Sequence, residues 1–213
     1  MTKPIVAIIG ATGGQGGSVA SSFLADGNYT VRGITRNPSS EKALALKNKG
    51  AELASADVNN LDSLVEAFKV LNPPRFLPDL LDSIVNLANT TQQGASIIFA
   101  VTDFFEPFIA SGPEAAIKVE VTQGINLAKA ASLTPTLTHY IWSTLPPAAR
   151  LTNNKYPVPH FIGKSQVDDF IKSDPALYAK TTFLWVAWFI SNIQWGFNRP
   201  FLCVRLLLFF HSS

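Results

Sequence analysis

The chain has 213 residues, 47% of them hydrophobic and 15% charged, with a net charge of +2. That is enough chain for one sizeable core, and too little net charge to argue for a nucleic-acid or membrane-surface partner. The single cysteine, Cys203, excludes an internal disulfide framework and a multi-cysteine metal site, and fits a reducing, cytoplasmic or nuclear, location.

Ile5–Ile9 is a short run of β-branched and apolar residues ending at a glycine turn, the pattern of a strand buried on both faces. It begins almost at the first residue, so a first strand is expected there and not a secretory leader. A helix is expected over Gly14–Asp26, with Val19, Ala20, Phe23 and Leu24 on its apolar face and Gly27 as its stop. Tyr29–Thr35 reads as a strand, and Ser39–Asn48 as a helix with Ser39 as a possible N-cap. Glu52–Ser55 is a short strand, and Leu61–Phe68 an amphipathic helix. Further on come a strand at Ile97–Val101, a helix at Glu114–Ser132, a strand at Thr138–Ser143, a helix at Ile162–Lys172 and a strand at Thr181–Ala187. Strands alternating with helices imply βαβ units, and so an α/β fold with a doubly wound parallel sheet carrying helices on both faces.

The strongest chemical signal joins the first strand to the first helix: Gly10-Ala11-Thr12-Gly13-Gly14-Gln15-Gly16-Gly17. Gly10, Gly13 and Gly16 fit G-x-x-G-x-x-G, a spacing variant of the dinucleotide fingerprint, in its required strand–turn–helix context. Glycines permit the tight turn and let backbone approach a pyrophosphate, and the helix N-terminus offers unpaired N–H groups. This makes Gly10, Ala11, Thr12, Gly13, Gln15 and Gly16 candidate cofactor-binding residues.

After the second strand the sequence carries Arg36, with no acidic residue to hold ribose hydroxyls. An arginine there can pair with a 2′-phosphate, and Ser39 and Ser40 can add hydroxyls. NADP(H) is therefore favoured over NAD(H); the alternative is a solvated arginine. Asp57 and Val58 follow the third strand, where Asp57 either faces the adenine or caps the next helix. Ala100, Val101 and Thr102 end the fourth strand and would run beside the cofactor.

These stretches, with V-T-D-F-F-E-P at 101–107, Q-G-I-N-L-A-K-A-A at 123–131, Y-I-W-S-T-L-P at 140–146 and K-Y-P-V-P-H-F-I-G-K at 155–164, resemble the NmrA-like family, atypical members of the short-chain dehydrogenase group. The resemblance spans roughly residues 4–195, in the family's order. It implies an NADP(H)-preferring Rossmann-type domain. Several members are thought to be cofactor-sensing regulators acting through protein partners, such as a transcription regulator, and others are oxidoreductases. Direct nucleic-acid binding and membrane association are not expected.

A typical short-chain dehydrogenase uses Y-x-x-x-K, in which the lysine lowers the tyrosine's pKa and holds the nicotinamide ribose. Here the resemblance places Lys164 at the lysine, His160 at the tyrosine and Ser143 at the serine that polarises a carbonyl, so these three are the candidate catalytic residues. Histidine is a competent proton donor near neutral pH, but Pro157 and Pro159 flank it and suggest a loop. The same prolines argue against Tyr156, eight residues before Lys164, as a substitute donor.

Two departures from the family pattern stand out. Residues 70–93 are extra: either a surface insertion with an amphipathic helix, or a retained intron, since valine codons begin with GT and Gln93 can be encoded CAG. Beyond residue 195 the resemblance stops. The family continues into a substrate lobe, expected to be largely missing here, and residues 196–213 read as an aberrant apolar tail. Three functions remain open: a cofactor-sensing regulator, an NADP-dependent oxidoreductase acting on a small carbonyl-type substrate, and a truncated product without activity.

Overall fold

A computed structural model describes residues 3–69 and 94–186 of the chain. The expected insertion at 70–93 and the apolar tail at 196–213 lie outside the described residues.

Six strands form one parallel sheet: β1 (Ile5–Ile9), β2 (Thr30–Thr35), β3 (Glu52–Ser55), β4 (Ala95–Ala100), β5 (His139–Thr144) and β6 (Thr181–Trp185). Their spatial order is β3-β2-β1-β4-β5-β6, and every neighbouring pair is parallel. The chain winds outward from β1 to β3, then crosses back to β4 on the other side of β1. That reversal opens a crevice at the carboxyl ends of β1 and β4, the place where open α/β sheets bind ligands. All five residues of β1 are buried, as a central parallel strand requires.

Helices cover both faces. On one face α1 (Gly14–Asp26) and α2 (Glu41–Asn48) pack over Val6, Ile8, Val31 and Phe99. On the other, α3 (Leu61–Phe68), α4 (Phe105–Ser132) and α6 (Pro159–Ser173) enclose a larger core with Leu64, Phe68, Ile98, Leu127, Trp142, Val167 and Ile171. Two short helices, α5 (Ala148–Leu151) and α7 (Pro175–Tyr178), complete the described elements. None of the described helices is long and apolar enough to cross a membrane.

The expected alternation is present, with shifted ends. The cap of α2 is Ser40, whose side chain accepts from the Ala43 N–H, and not Ser39. Helix α4 starts nine residues before the expected Glu114: a first helical segment precedes a kink at Gly112 (φ 80°) and Pro113, and the expected helix follows it. Helix α6 starts at Pro159 and not at Ile162: proline fits the first helical turn, where its missing N–H costs nothing. His160 therefore sits in a helix, which corrects the loop expectation.

The chain leaves the described structure at Lys69 and returns at Gly94 beside its point of departure. The Phe68 carbonyl lies 3.5 Å from where a side chain on Gly94 would begin. Arg32 secures the exit: its buried guanidinium donates to the carbonyls of Ala67 and Lys69 and pairs with Glu52 at 3.2 Å.

Candidate functional site

The crevice at the sheet's carboxyl edge is a cleft of about 960 Å³, at the upper end of the usual range for small-molecule sites. Its floor is the glycine loop. Gly10 has φ +65°, a left-handed conformation that favours glycine, and its carbonyl accepts from the Gly13 N–H at 2.8 Å. Gly16 is held against the end of β1: a Cβ there would meet the Gly10 carbonyl, with Gly10 C at 2.6 Å and Ile9 O at 2.7 Å. No side chain caps the N-terminus of α1, so the first-turn N–H groups are available to an anion.

Gly10, Thr12, Gly13, Gln15 and Gly16 line the cleft, together with Arg36, Val58, Val101, Thr102, Ser143, His160 and Lys164. Ala11 lies beneath the loop, 3% exposed, and Ala100 is wholly buried in the sheet. Ser39 and Ser40 do not reach the cleft; the Ser39 N–H donates to Asn37 and Ser40 caps α2. Asp57 is exposed and accepts from the backbone and side chain of Asn59. Its neighbours Val58 and Asn59 form the wall instead, and Asn60 caps α3. Tyr156 is 58% exposed and precedes α6.

At one end of the cleft Arg36 extends into solvent and pairs with Glu106 at 3.4 Å. At the other end the candidate catalytic residues gather. The Gln15 amide donates to Ser143 Oγ at 2.7 Å, tying the glycine loop to β5. His160 packs among Phe104, Phe105 and Phe161, with ring centroids 4.7–5.9 Å away. Burial pushes its pKa down, so the ring is neutral at neutral pH.

Lys164 is 7% exposed. Its Nζ donates to Thr102 Oγ1 at 2.7 Å, lies 3.5 Å from Glu120 Oε1, and sits 4.7 Å from the centre of the Trp142 ring. Trp142 Nε1 and Thr144 Oγ1 both donate to Asp168 Oδ1 at 2.8 Å. Burial is the largest influence on all three ionisable groups: it lowers the pKa of Lys164 and raises those of Glu120 and Asp168.

Glu120, Asp168 and Glu106 were not among the expected site residues. A signal for Glu120 existed. It falls on the apolar face of α4 with Ala116, Gly124, Leu127 and Ala131, and a carboxylate at a core position calls for a partner.

A parallel sheet with a glycine-rich β1–α1 turn, an open helix N-terminus and a cleft at the strand-order reversal defines a Rossmann-type dinucleotide-binding fold. The chain belongs to the NmrA-like family, which it matches over residues 2–199. It is 26% identical over 192 residues to an NmrA-like family domain-containing oxidoreductase, hkm9, of Aspergillus hancockii, covering 90% of this chain and 48% of that one. It is 51% identical over 67 residues to the oxidoreductase cpsB of Aspergillus campestris, covering 32% and 20%. Among solved structures it resembles the negative transcriptional regulator NmrA in complex with NADP, with a TM-score of 0.59, 20% identity and coverage of 87% of this chain and 45% of that one. It also resembles a Citrobacter sp. triphenylmethane reductase complexed with NADP(H), with a TM-score of 0.58, 21% identity and coverage of 88% and 50%. The chain spans about half the length of hkm9 and of these two structural neighbours.

Proposed function

We propose that the chain binds NADP(H) in this cleft and acts as a cofactor-sensing regulator through a protein partner. The observation that carries the binding is the convergence of an uncapped helix N-terminus, a glycine cradle closed to any larger residue at position 16, and Arg36 on one cleft. Gly13–Gly16 would hold the pyrophosphate, Arg36 the 2′-phosphate and Lys164 the nicotinamide ribose. The regulator reading is supported by what surrounds Lys164. No tyrosine lines the cleft among the described residues, and the Ser143 hydroxyl is engaged by Gln15.

The second reading is an NADP-dependent oxidoreductase acting on a small carbonyl-type substrate. Its support is that Ser143, His160 and Lys164 line one cleft and that curated relatives carry oxidoreductase names. When bound, the cofactor supplies hydride; His160, kept neutral, would have to draw a proton from solvent before donating one.

A thermal-shift titration with NADPH, NADP and NADH tests the shared part. A ligand at 100 times its dissociation constant stabilises by about 2.7 kcal/mol, so the NADP forms should raise the melting temperature and NADH should not. No shift with any of them would favour a product without activity. NADPH oxidation dependent on an added carbonyl compound, lost in Lys164→Ala, would establish the oxidoreductase. Binding without turnover would favour the regulator, and a partner captured only in one cofactor state would complete the case.

A further inference from the structure

The buried ionic group around Lys164 contains more than ribose binding requires. Glu120 reaches it from α4, wholly buried, and its Oε2 has no hydrogen-bond partner among the described residues. The Thr102 hydroxyl donates to Glu120 Oε1 at 2.9 Å and accepts from Lys164 Nζ at 2.7 Å. It therefore bridges the two charges, which also face each other directly at 3.5 Å. Room for the carboxylate exists only because residue 163 is glycine: a Cβ there would start 2.5 Å from Glu120 Oε2.

Stability alone does not account for this arrangement. Replacing a buried ion pair by packed apolar groups is often neutral or stabilising, and the buried face of α4 already carries Ala116, Leu127 and Ala131 beside Gln123. What the pair does achieve is direction. A lysine has a long, flexible stem, and here its end is fixed from two sides at the cleft wall.

We propose that Glu120 is the positioning residue of this cleft: directly and through Thr102, it holds the Lys164 ammonium where the nicotinamide ribose would lie. The assignment rests on the cleft being the NADP(H) site. Among the described residues Glu120 is the only carboxylate paired with the Lys164 ammonium. Asp103, after β4, and Asp168, on α6 itself, are the other charged groups that act on Lys164. Asp168 Oδ1 already accepts from Trp142 and Thr144. Among the described residues, the β1–α1 loop and β5 contribute neutral groups: the Trp142 ring against Lys164, and Gln15 and Ser143 on the cleft wall. His160, one turn earlier on α6, is neutral as well. Burial pushes Lys164 toward losing its proton, and the Glu120 carboxylate opposes that loss.

The test is to follow the proton on Lys164 in protein labelled with 13C at lysine Cε, its resonance assigned by its absence in Lys164→Arg. In Glu120→Gln the titration midpoint of Lys164 should fall below that of the wild type, and Glu120→Asp should restore part of the difference. The NADPH dissociation constant of Glu120→Gln should rise roughly tenfold, and rise further with pH as Lys164 discharges. An unchanged midpoint in a folded Glu120→Gln protein overturns the proposal, whatever happens to NADPH. Should that variant not fold, Glu120→Asp alone, one methylene shorter, draws the carboxylate back from the 3.5 Å contact with Nζ: a lowered midpoint supports the proposal and an unchanged one overturns it. A wild type that binds no NADPH would refute the cofactor reading, while the midpoint comparison would still decide whether Glu120 holds the ammonium.

Discussion

Two glycines in the first turn of α1 should respond differently to the same substitution. In Gly16→Ala the new Cβ would start 2.6 Å from Gly10 C and 2.7 Å from Ile9 O, all of it backbone. No side chain can rotate away, so α1 must lift from the end of β1 by roughly 0.5–1 Å to reach ordinary contact distance. Overpacking of this kind costs about 1–3 kcal/mol, offset by about 0.5–1 kcal/mol from replacing glycine by alanine in a helix. The two ranges leave a net loss of up to about 2.5 kcal/mol, centred near 1, which lowers the melting temperature by about 2–4 °C per kcal/mol in a chain of this size. At Gly14, by contrast, a Cβ would meet nothing within 4 Å. Gly14→Ala should therefore be neutral or gain up to about 1 kcal/mol. Urea unfolding followed by far-UV circular dichroism measures both. Should Gly16→Ala prove as stable as the parent, or the two variants lose equally, close backbone packing does not explain the glycine at position 16. NADPH binding provides a second readout: lifting α1 moves the first-turn N–H groups, so Gly16→Ala should bind NADPH at least tenfold more weakly.

Other perturbations isolate other parts of the structure. Glu106→Gln frees Arg36 from an exposed pair at 3.4 Å; NADPH should then bind a few-fold more tightly with NADH unchanged, and an equal gain for both in calorimetry would refute a 2′-phosphate role for Arg36. Arg32→Ala leaves the carbonyls of Ala67 and Lys69 without their donor and should cost about 2–4 kcal/mol in urea unfolding; a loss under about 1 kcal/mol would mean that the guanidinium does not hold the end of α3. His160 is depressed by burial in the folded state. The unfolded chain therefore takes up its proton first as pH falls through about 6.5, and stability drops from there until the folded ring also titrates. His160→Phe should remove that part of the slope, and superimposable stability profiles for the two proteins between about pH 5 and 7 would contradict it.

The frame was legible because its signals are local. An apolar β-branched run, a glycine turn and an amphipathic stretch place β1, the loop and α1 without tertiary information. The first segment of α4 was not, since Gly112-Pro113 reads as a helix boundary and the short stretch before that kink carries no helical signal of its own. The start of α6 was misread for a related reason. Pro157 and Pro159 suggest a loop, but only the second matters, and it occupies the first turn. Glycine spacing and the arginine after β2 pointed to the cleft-lining residues Gly10, Gly13, Gly16 and Arg36. Ser39, Ser40 and Asp57 follow strand ends equally well in sequence, but local hydrogen bonds turn them to capping and turn duties. Glu120 depends on contacts across 62 residues of chain, from Thr102 to Lys164, and on the space left at Gly163. No window on the sequence displays such a relation.

The meeting of Phe68 and Gly94 has a consequence for how this chain tolerates additional length. The entropy of closing a loop grows only with the logarithm of its residue number, about 0.6 kcal/mol for each doubling. An excursion whose two ends already touch therefore imposes little on the domain, whatever its origin. Lys69 and Gly94 flank one gap, with Arg32 clamping the chain before it and the Thr136 hydroxyl donating to the Ala95 carbonyl after it. A chain that passes directly from Lys69 to Gly94 should melt as cooperatively as the parent, because Phe68 and Gly94 already lie side by side. The gap opens at the start of β4, and the cofactor cleft at the opposite, carboxyl end of the same strands, so a change of chain length here is made a full strand's length away from the cleft.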